Sequence, residues 1–221
     1  MLKSVAKIAF ATILFVGVHS LLATKAAKKK ATKVLGARRR NGLYRLFYNS
    51  QAVITFGALV LYGIKLPDHD LYRLRKPLSW FTYSIQAFFL LYLLYGAKQI
   101  GFLPFSGIPN LMRLIGGQTD ISVEPEGQGP ALHVNGEMKA TGPFCTTRHP
   151  LNFGMLPILW LMPRMTVNLA TFNITTTFYL VVGSFHEEKR LNEAYGSAYT
   201  KYQKSGINFF IPTISKRQKA N

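Results

Sequence analysis

The stretch WFTYSIQAFFLLYLLYGA, Trp80 to Ala97, decides the fold. Its 18 residues, with Phe88, Phe89, Leu90, Leu91, Leu93 and Leu94 at the centre, are near the lower limit for crossing about 30 Å of hydrocarbon as a helix. Working outward, further apolar runs appear at Val5 to Leu22, Phe47 to Ile64, Leu151 to Met162 and Val167 to Phe185. Pro163 and Arg164 separate the last two, which read as the arms of a tight helical hairpin. The pattern predicts an all-α integral membrane protein with about five transmembrane helices.

Composition agrees. The 221 residues carry 27 Lys+Arg against 9 Asp+Glu, a net charge of +18, yet only 16% are charged and 48% are apolar. A disordered basic tail does not hold that apolar fraction or 16 Phe. A disulfide scaffold is excluded because Cys145 is the single cysteine. A nucleic-acid binder is disfavoured: the first basic block has no aromatic interleaving until Tyr44, and no recognition fold is apparent.

The charge is placed unevenly. No acidic residue precedes Asp68, and nine basic residues crowd between Lys25 and Arg45. With that block in the cytoplasm, five crossings put the N-terminus out and the C-terminus in, with 20 of the 27 basic residues inside. Ala23-Thr24-Lys25-Ala26 loosely resembles a signal-cleavage region, but the dense basic block that follows opposes translocation, so the first run is read as a retained anchor. Three parts follow. Residues 1–100 are three transmembrane helices with a basic cytoplasmic loop at 24–46. Residues 101–147 are a Gly- and Pro-rich cytoplasmic insert, with a hairpin-turn signal at Val134-Asn135-Gly136-Glu137. Residues 148–221 are a helical hairpin and a cytoplasmic C-terminal segment.

Two groups could carry chemistry. Arg148-His149-Pro150 opens the fourth run, where Pro150 suits the first helical turn and places Arg148 and His149 at the helix start. An ionisable pair near membrane depth is either functional or an interfacial arginine snorkelling to phosphates. The fifth run ends in His186-Glu187-Glu188, followed by Leu191, Tyr195, Tyr199 and Tyr202 on one helical face. That face is either a membrane-interface stripe or the cover of a bound ligand. On the two arms of one hairpin, Arg148 and His149 should approach Glu187 and Glu188. A cation pair facing a carboxylate pair suits a zwitterionic ligand. Cys145, four residues before His149, reads as incidental; His19 reads as helix packing; His69 and His133 carry no pattern. No metal-ligand set is apparent.

The segment Gly142-Pro143-Phe144-Cys145-Thr146-Thr147-Arg148-His149-Pro150-Leu151-Asn152-Phe153-Gly154 resembles the G-P-[YF]-x-x-x-R-H-P-x-Y-x-G motif of isoprenylcysteine carboxyl methyltransferases and related membrane methyltransferases, including phospholipid methyltransferase-like enzymes. Glu187-Glu188-x-x-Leu191-x-x-x-Tyr195-Gly196-x-x-Tyr199-x-x-Tyr202, with Pro212 beyond it, resembles the second motif. The likeness covers about residues 138 to 212. His19 and Tyr44-Arg45-Leu46-Phe47-Tyr48-Asn49 resemble a bacterial branch that includes the NnrU-like proteins. Asn152 stands where the family often has Tyr; an amide hydrogen-bonds but does not stack.

The resemblance implies an S-adenosylmethionine-dependent methyltransferase acting on a lipophilic or membrane-partitioning thiol, carboxylate or amine that enters from the bilayer. It places Arg148 and Glu188 at the catalytic site and His149, Pro150, Glu187, Glu188, Tyr199 and Tyr202 around the cofactor, with Arg148 and Asn152 toward the substrate. The implied setting is a bacterial inner membrane with the site facing the cytoplasm, and membrane lipids are the expected partners. Two other readings compete. One is an NADPH-dependent reductase of the sterol reductase type, for which the chain is short. The other is a non-catalytic basic membrane protein that organises anionic lipid or a partner complex through the Lys25 to Arg45 block.

Overall fold

The computed structural model describes residues 1–123, 127–130 and 136–213. Elements follow in the order α1 (Leu2–Ala23), α2 (Lys25–Leu35), α3 (Ala37–Ile64), β1 (Asp70–Arg73), α4 (Leu78–Ile100), α5 (Phe102–Ser106) and α6 (Ile108–Ile115). A 3₁₀ turn (Gly142–Cys145), α7 (Pro150–Trp160), β2 (Arg164–Thr166), α8 (Val167–Tyr195) and α9 (Ser197–Gln203) complete them. The chain divides into two units. The first contains α1, α2, α3, α5, α6 and the first turns of α8, to Thr176; the second contains α4, α7, the rest of α8 and α9.

Helices α1, α3 and α4, of 22, 28 and 23 residues, are long and apolar enough to cross a membrane. They coincide with the first three apolar runs, and few of their residues are buried. Side chains such as Phe10, Ile54, Phe88 and Leu91 face outward, as suits a solvent of acyl chains. The remaining two runs differ. Helix α7 has 11 residues, roughly 16 Å at 1.5 Å per residue. Helix α8 has 29, but Asn168, Asn173 and four Thr dilute its first half.

The segment 24–46, expected as a loop, is helical. Thr24 caps α2, its side-chain oxygen accepting from the Ala27 N–H at 3.1 Å; a threonine cap before Ala and Lys, both good helix formers, accounts for this. Gly36, at φ +77°, then breaks the path before α3 starts at Ala37. Within the insert, Phe102–Ser106 and Ile108–Ile115 are likewise helical, with Gly107 between them. Of the expected hairpin turn, Gly136 has φ +77°, whereas Val134 and Asn135, like His133, lie outside the described residues.

In the second unit, α4 and α7 pack closely through glycines. A Cβ at Gly154 would meet Leu93 Cδ2 at 2.8 Å, and one at Gly96 would meet Leu151 Cδ2 at 2.8 Å. Small residues that let backbones approach are the usual means of joining helices in lipid, where no hydrophobic force drives them together. Gln86 on α4 donates to the Ile158 carbonyl at 2.8 Å, satisfying a group at the end of α7 that the helix itself leaves open. The hairpin of α7 and α8 is tied twice: Asn152 Nδ2 donates to Ser184 Oγ at 2.8 Å and Trp160 Nε1 donates to Thr177 Oγ1 at 2.9 Å. The pairing 152–184 and 160–177 is antiparallel, as the sequence predicts.

Candidate functional site

The site lies within the second unit. Pro150 is the first residue of α7 and His149 its N-cap. The segment before them is held by the C-terminal chain. Thr147 forms a parallel bridge with Asn208, its hydroxyl donates to the Phe210 carbonyl at 2.9 Å, and the Arg148 N–H donates to the Asn208 carbonyl at 2.9 Å. The Thr213 N–H donates to the Thr146 carbonyl at 3.0 Å. Residues 207–213 therefore run beside 146–148 and set the direction in which Arg148 leaves the backbone.

Arg148, His149, Glu187 and Glu188 come together as the hairpin predicts. Arg148 Nε donates to Glu188 Oε1 at 2.6 Å, and its Nη1 donates to the Ile207 carbonyl at 2.7 Å. The His149 ring sits between the two carboxylates, Nδ1 3.4 Å from Glu187 Oε2 and Nε2 3.6 Å from Glu188 Oε1. Its side chain is 2% exposed. Burial opposes charge on both partners, yet the pairing wins. Although desolvation pulls His149 down, Glu187 and Glu188 raise its pKa above the ordinary 6.5. Desolvation likewise pushes Glu188 up, but the neighbouring His149 ring and the hydrogen-bonded Arg148 guanidinium bring it from 4.5 to about 2.

The tyrosine stripe does not face lipid headgroups. Gly196, at φ +54°, separates α8 from α9, and this break turns Tyr199 and Tyr202 inward. Leu191, Tyr199 and Tyr202 form a buried cluster against which Met138, Ala140, Tyr195 and Ile207 pack. The Tyr199 hydroxyl donates to Glu188 Oε1 at 3.3 Å and the Tyr202 hydroxyl to the Phe144 carbonyl at 3.0 Å. Burial raises both pKa values well above the ordinary 10, so both stay neutral donors.

Four contributors were not singled out from the sequence. Gln203 donates to Glu188 Oε2 at 2.9 Å; it lies four residues after Tyr199, on the same face of α9. The Gln128 N–H donates to Glu187 Oε1 at 2.6 Å. It is carried by Gly127-Gln128-Gly129, where a Cβ at Gly127, already at φ +71°, would meet Leu191 Cδ2 at 2.8 Å. This Gly-x-Gly spacing was the available signal. The Phe209 ring lies 5.0 Å from the His149 ring, 5.7 Å from the Arg148 guanidinium carbon and 4.3 Å from Phe185, with which it stacks. Ile207 contributes its carbonyl to Arg148 besides packing against the tyrosine cluster. Cys145 is exposed, and no group of three or more potential metal ligands exists among the described residues.

The donor set fits a zwitterionic cofactor such as S-adenosylmethionine. His149 Nε2 is buried without a hydrogen bond, a costly state unless a ligand supplies the partner. Among the described residues, Arg148 Nη2 also has no protein acceptor. Thus cationic donors are available for a carboxylate, and Glu187 for an amine or hydroxyl. Glu188 is committed to protein donors on both oxygens, and Asn152 Nδ2 is committed to Ser184.

Similarity to known proteins is local. No family model matches the chain, and no solved structure does. The chain is 34% identical over 87 residues to a methanethiol S-methyltransferase from Pseudomonas deceptionensis, covering 39% of this chain and 33% of that protein. It is 37% identical over 70 residues to a methanethiol S-methyltransferase from Crocosphaera subtropica, covering 32% and 27%. A third, from Pseudomonas sp. (strain GM41(2012)), is 37% identical over 65 residues, covering 29% and 25%. The aligned part of this chain thus spans a third or less of the length of these relatives.

Proposed function

We propose that the protein is a membrane-embedded S-adenosylmethionine-dependent methyltransferase whose acceptor is a small or lipophilic thiol. The observation that carries this reading is the cluster of buried His149 and Glu187 with half-buried Arg148 and Glu188 at the start of α7 and the end of the apolar part of α8. The relatives' named substrate, methanethiol, favours sulfur over the carboxylate and amine acceptors.

Bound S-adenosylmethionine would supply an electrophilic methyl group on a sulfonium. His149 Nε2 and Arg148 Nη2 would hold its carboxylate, a charge-assisted arrangement. Glu187 would accept from its amine or hydroxyls. Glu188, Tyr199 and Gln203 keep Arg148 in place, and Phe209 with Phe185 excludes water from the cation pair. An acceptor thiol must lose its proton to react, and the cationic side of the cluster favours the thiolate. Orientation of two reactants in a dry site supplies much of the remaining acceleration. The reading includes five crossings with the N-terminus out, and a site on the cytoplasmic side of a bacterial inner membrane. An apolar acceptor would enter from the bilayer.

The test is titration of purified protein with S-adenosylhomocysteine, paired with incubation of membranes with methyl-labelled cofactor and methanethiol. Saturable binding, weakened at least about tenfold in Arg148→Ala, and labelled dimethyl sulfide in the headspace are expected. NADPH competing where S-adenosylhomocysteine does not would favour the reductase. Binding of neither, with a lipid phenotype from the Lys25 to Arg45 block alone, would favour the non-catalytic reading.

A further inference from the structure

Helices α5 and α6 display an apolar stripe that no part of their own unit covers. Ile108, Met112 and Ile115 recur at spacings of four and three, one face of α6, and are 50%, 62% and 72% exposed. Phe102 and Leu103 on α5 continue the stripe at 66% and 63%. The opposite face is fastened to α3. A Cβ on Gly42 would meet Leu114 Cδ2 at 2.7 Å, so α6 presses directly on the α3 backbone.

The fastening also fixes the level of the stripe along α3. Asn49 Nδ2 donates to the Phe105 and Ser106 carbonyls, both at 3.0 Å. The Arg45 guanidinium lies over the Phe105 ring at 4.5 Å. Asn110 Nδ2 donates to the Asn41 carbonyl at 3.1 Å, and Arg38 Nε to the Gln118 carbonyl at 2.7 Å. From Phe105 to Gln118 the chain therefore descends α3 from residue 49 to residue 38, roughly 16 Å at 1.5 Å per residue. Residue 47 is where the apolar run of α3 begins and the basic block ends. Phe102 and Leu103 thus sit at the edge of the hydrocarbon, and Met112 and Ile115 stand within the next several ångströms, the thickness of a headgroup layer.

The surroundings are cationic. Lys29, Lys30, Lys33, Arg38 and Arg39 are exposed on α2 and the first turn of α3, and Arg113 is exposed on α6. No acidic residue lies between Lys25 and Arg45. An apolar stripe flanked by cations at the acyl boundary is the pattern of an interfacial membrane-binding helix.

We propose that α5, α6 and the flanking cations of α2 and α3 form a docking surface for anionic phospholipid. The stripe enters the headgroup–acyl boundary of the leaflet beside the basic block, and the cations hold the lipid phosphates. This surface is independent of the methyl-transfer reading, and it makes the first part of the insert membrane-bound rather than aqueous.

The test uses the full-length protein in a Cys145→Ser background, reconstituted in equimolar phosphatidylglycerol and phosphatidylcholine. Spin labels at Leu103→Cys, Met112→Cys and Ile115→Cys are read by collision with oxygen and with a water-soluble nickel chelate. The oxygen-to-nickel ratio should be highest at 103, fall toward 115, and exceed that of Asp120→Cys throughout. Nickel dominating at all three positions would overturn the proposal. So would protection that appears only as protein concentration rises, which would assign the stripe to a second copy of the chain. In parallel, spin-labelled phosphatidylglycerol should be retained about fivefold or more over phosphatidylcholine. The ratio should approach one in Lys29→Gln/Lys30→Gln/Arg39→Gln. Equal retention of the two lipids by the unaltered protein would also overturn it.

Discussion

Glu188 is the acceptor on which the side-chain donors of the site converge. It receives Arg148, Tyr199 and Gln203 and stands 3.6 Å from His149 Nε2. Removing its charge leaves two cationic groups largely buried, and breaking such a pair from one side costs about 3 kcal/mol or more. Glu188→Ala should therefore melt well below the unaltered protein in detergent, whereas Glu187→Gln, which keeps an acceptor for the Gln128 N–H, should melt close to it and lose affinity for S-adenosylhomocysteine. Equal melting of the two variants would contradict this division. The pH dependence follows from the signs. The lowered Glu188 pKa contributes stability that is present above its ordinary 4.5 and lost as pH falls through about 2. The raised His149 pKa contributes stability that is full below 6.5 and lost as pH rises through its elevated value. Melting temperature against pH should plateau between those ordinary values and fall on either side. His149→Gln should flatten the alkaline limb and leave the acid limb in place.

At the scale of elements, the junction of α4 and α7 sets where His149 stands. A Cβ at Gly96 would meet the flexible end of Leu151, whereas one at Gly154 would meet Leu93 Cδ2 at 2.8 Å and the Tyr92 ring at 3.1 Å, so one added methyl is absorbed at Gly96 and a larger side chain at neither position. Gly96→Ala should cost under about 1 kcal/mol, and Gly154→Leu about 1–3 kcal/mol, measured by thermal melting. The larger variant should also weaken S-adenosylhomocysteine binding, because α7 carries His149 at its N-cap. Here the sequence was legible only in part. Apolar runs located α1, α3, α4, α7 and α8 to within a few residues, apart from the N-terminal turns of α3 and the C-terminal turns of α8. The turns of α3 before Phe47 are polar, and hydropathy does not distinguish a polar helix from a loop; the last turns of α8 were marked by the Leu191 to Tyr202 face instead. The same reason hid α2, whose Lys and Ala content favours a helix without marking a membrane. The stripe from Leu191 to Tyr202 was legible as a face, but its environment was left open between lipid and ligand, because Gly196 redirects α9 and periodicity cannot register a turn of the chain axis.

For the whole molecule, the proposed topology makes the distribution of charge an orientation device. Nine of the 27 basic residues lie between Lys25 and Arg45, beside the first two candidate spans. Replacing those nine by Gln should invert or scramble the topology. Reporter fusions at the C-terminus check this: cytoplasmic activity is expected from the unaltered chain, and mixed activity from the variant.

The amino-acid sequence by itself determined the membrane character, the positions of the three long apolar helices and the pairing of Arg148-His149 with Glu187-Glu188. Each of these is a local property, written in runs, spacings and the short connection between two helices. Only the tertiary structure decided which atoms meet. Glu188 proved committed to protein donors while His149 Nε2 was left open, Phe209 closed over the cation pair, and Gln128 reached Glu187 across 59 residues of chain. The physical reason is that hydrogen-bond capacity is saturated or spared in three dimensions. A residue's type states what it can bind, and the fold states what it has already bound.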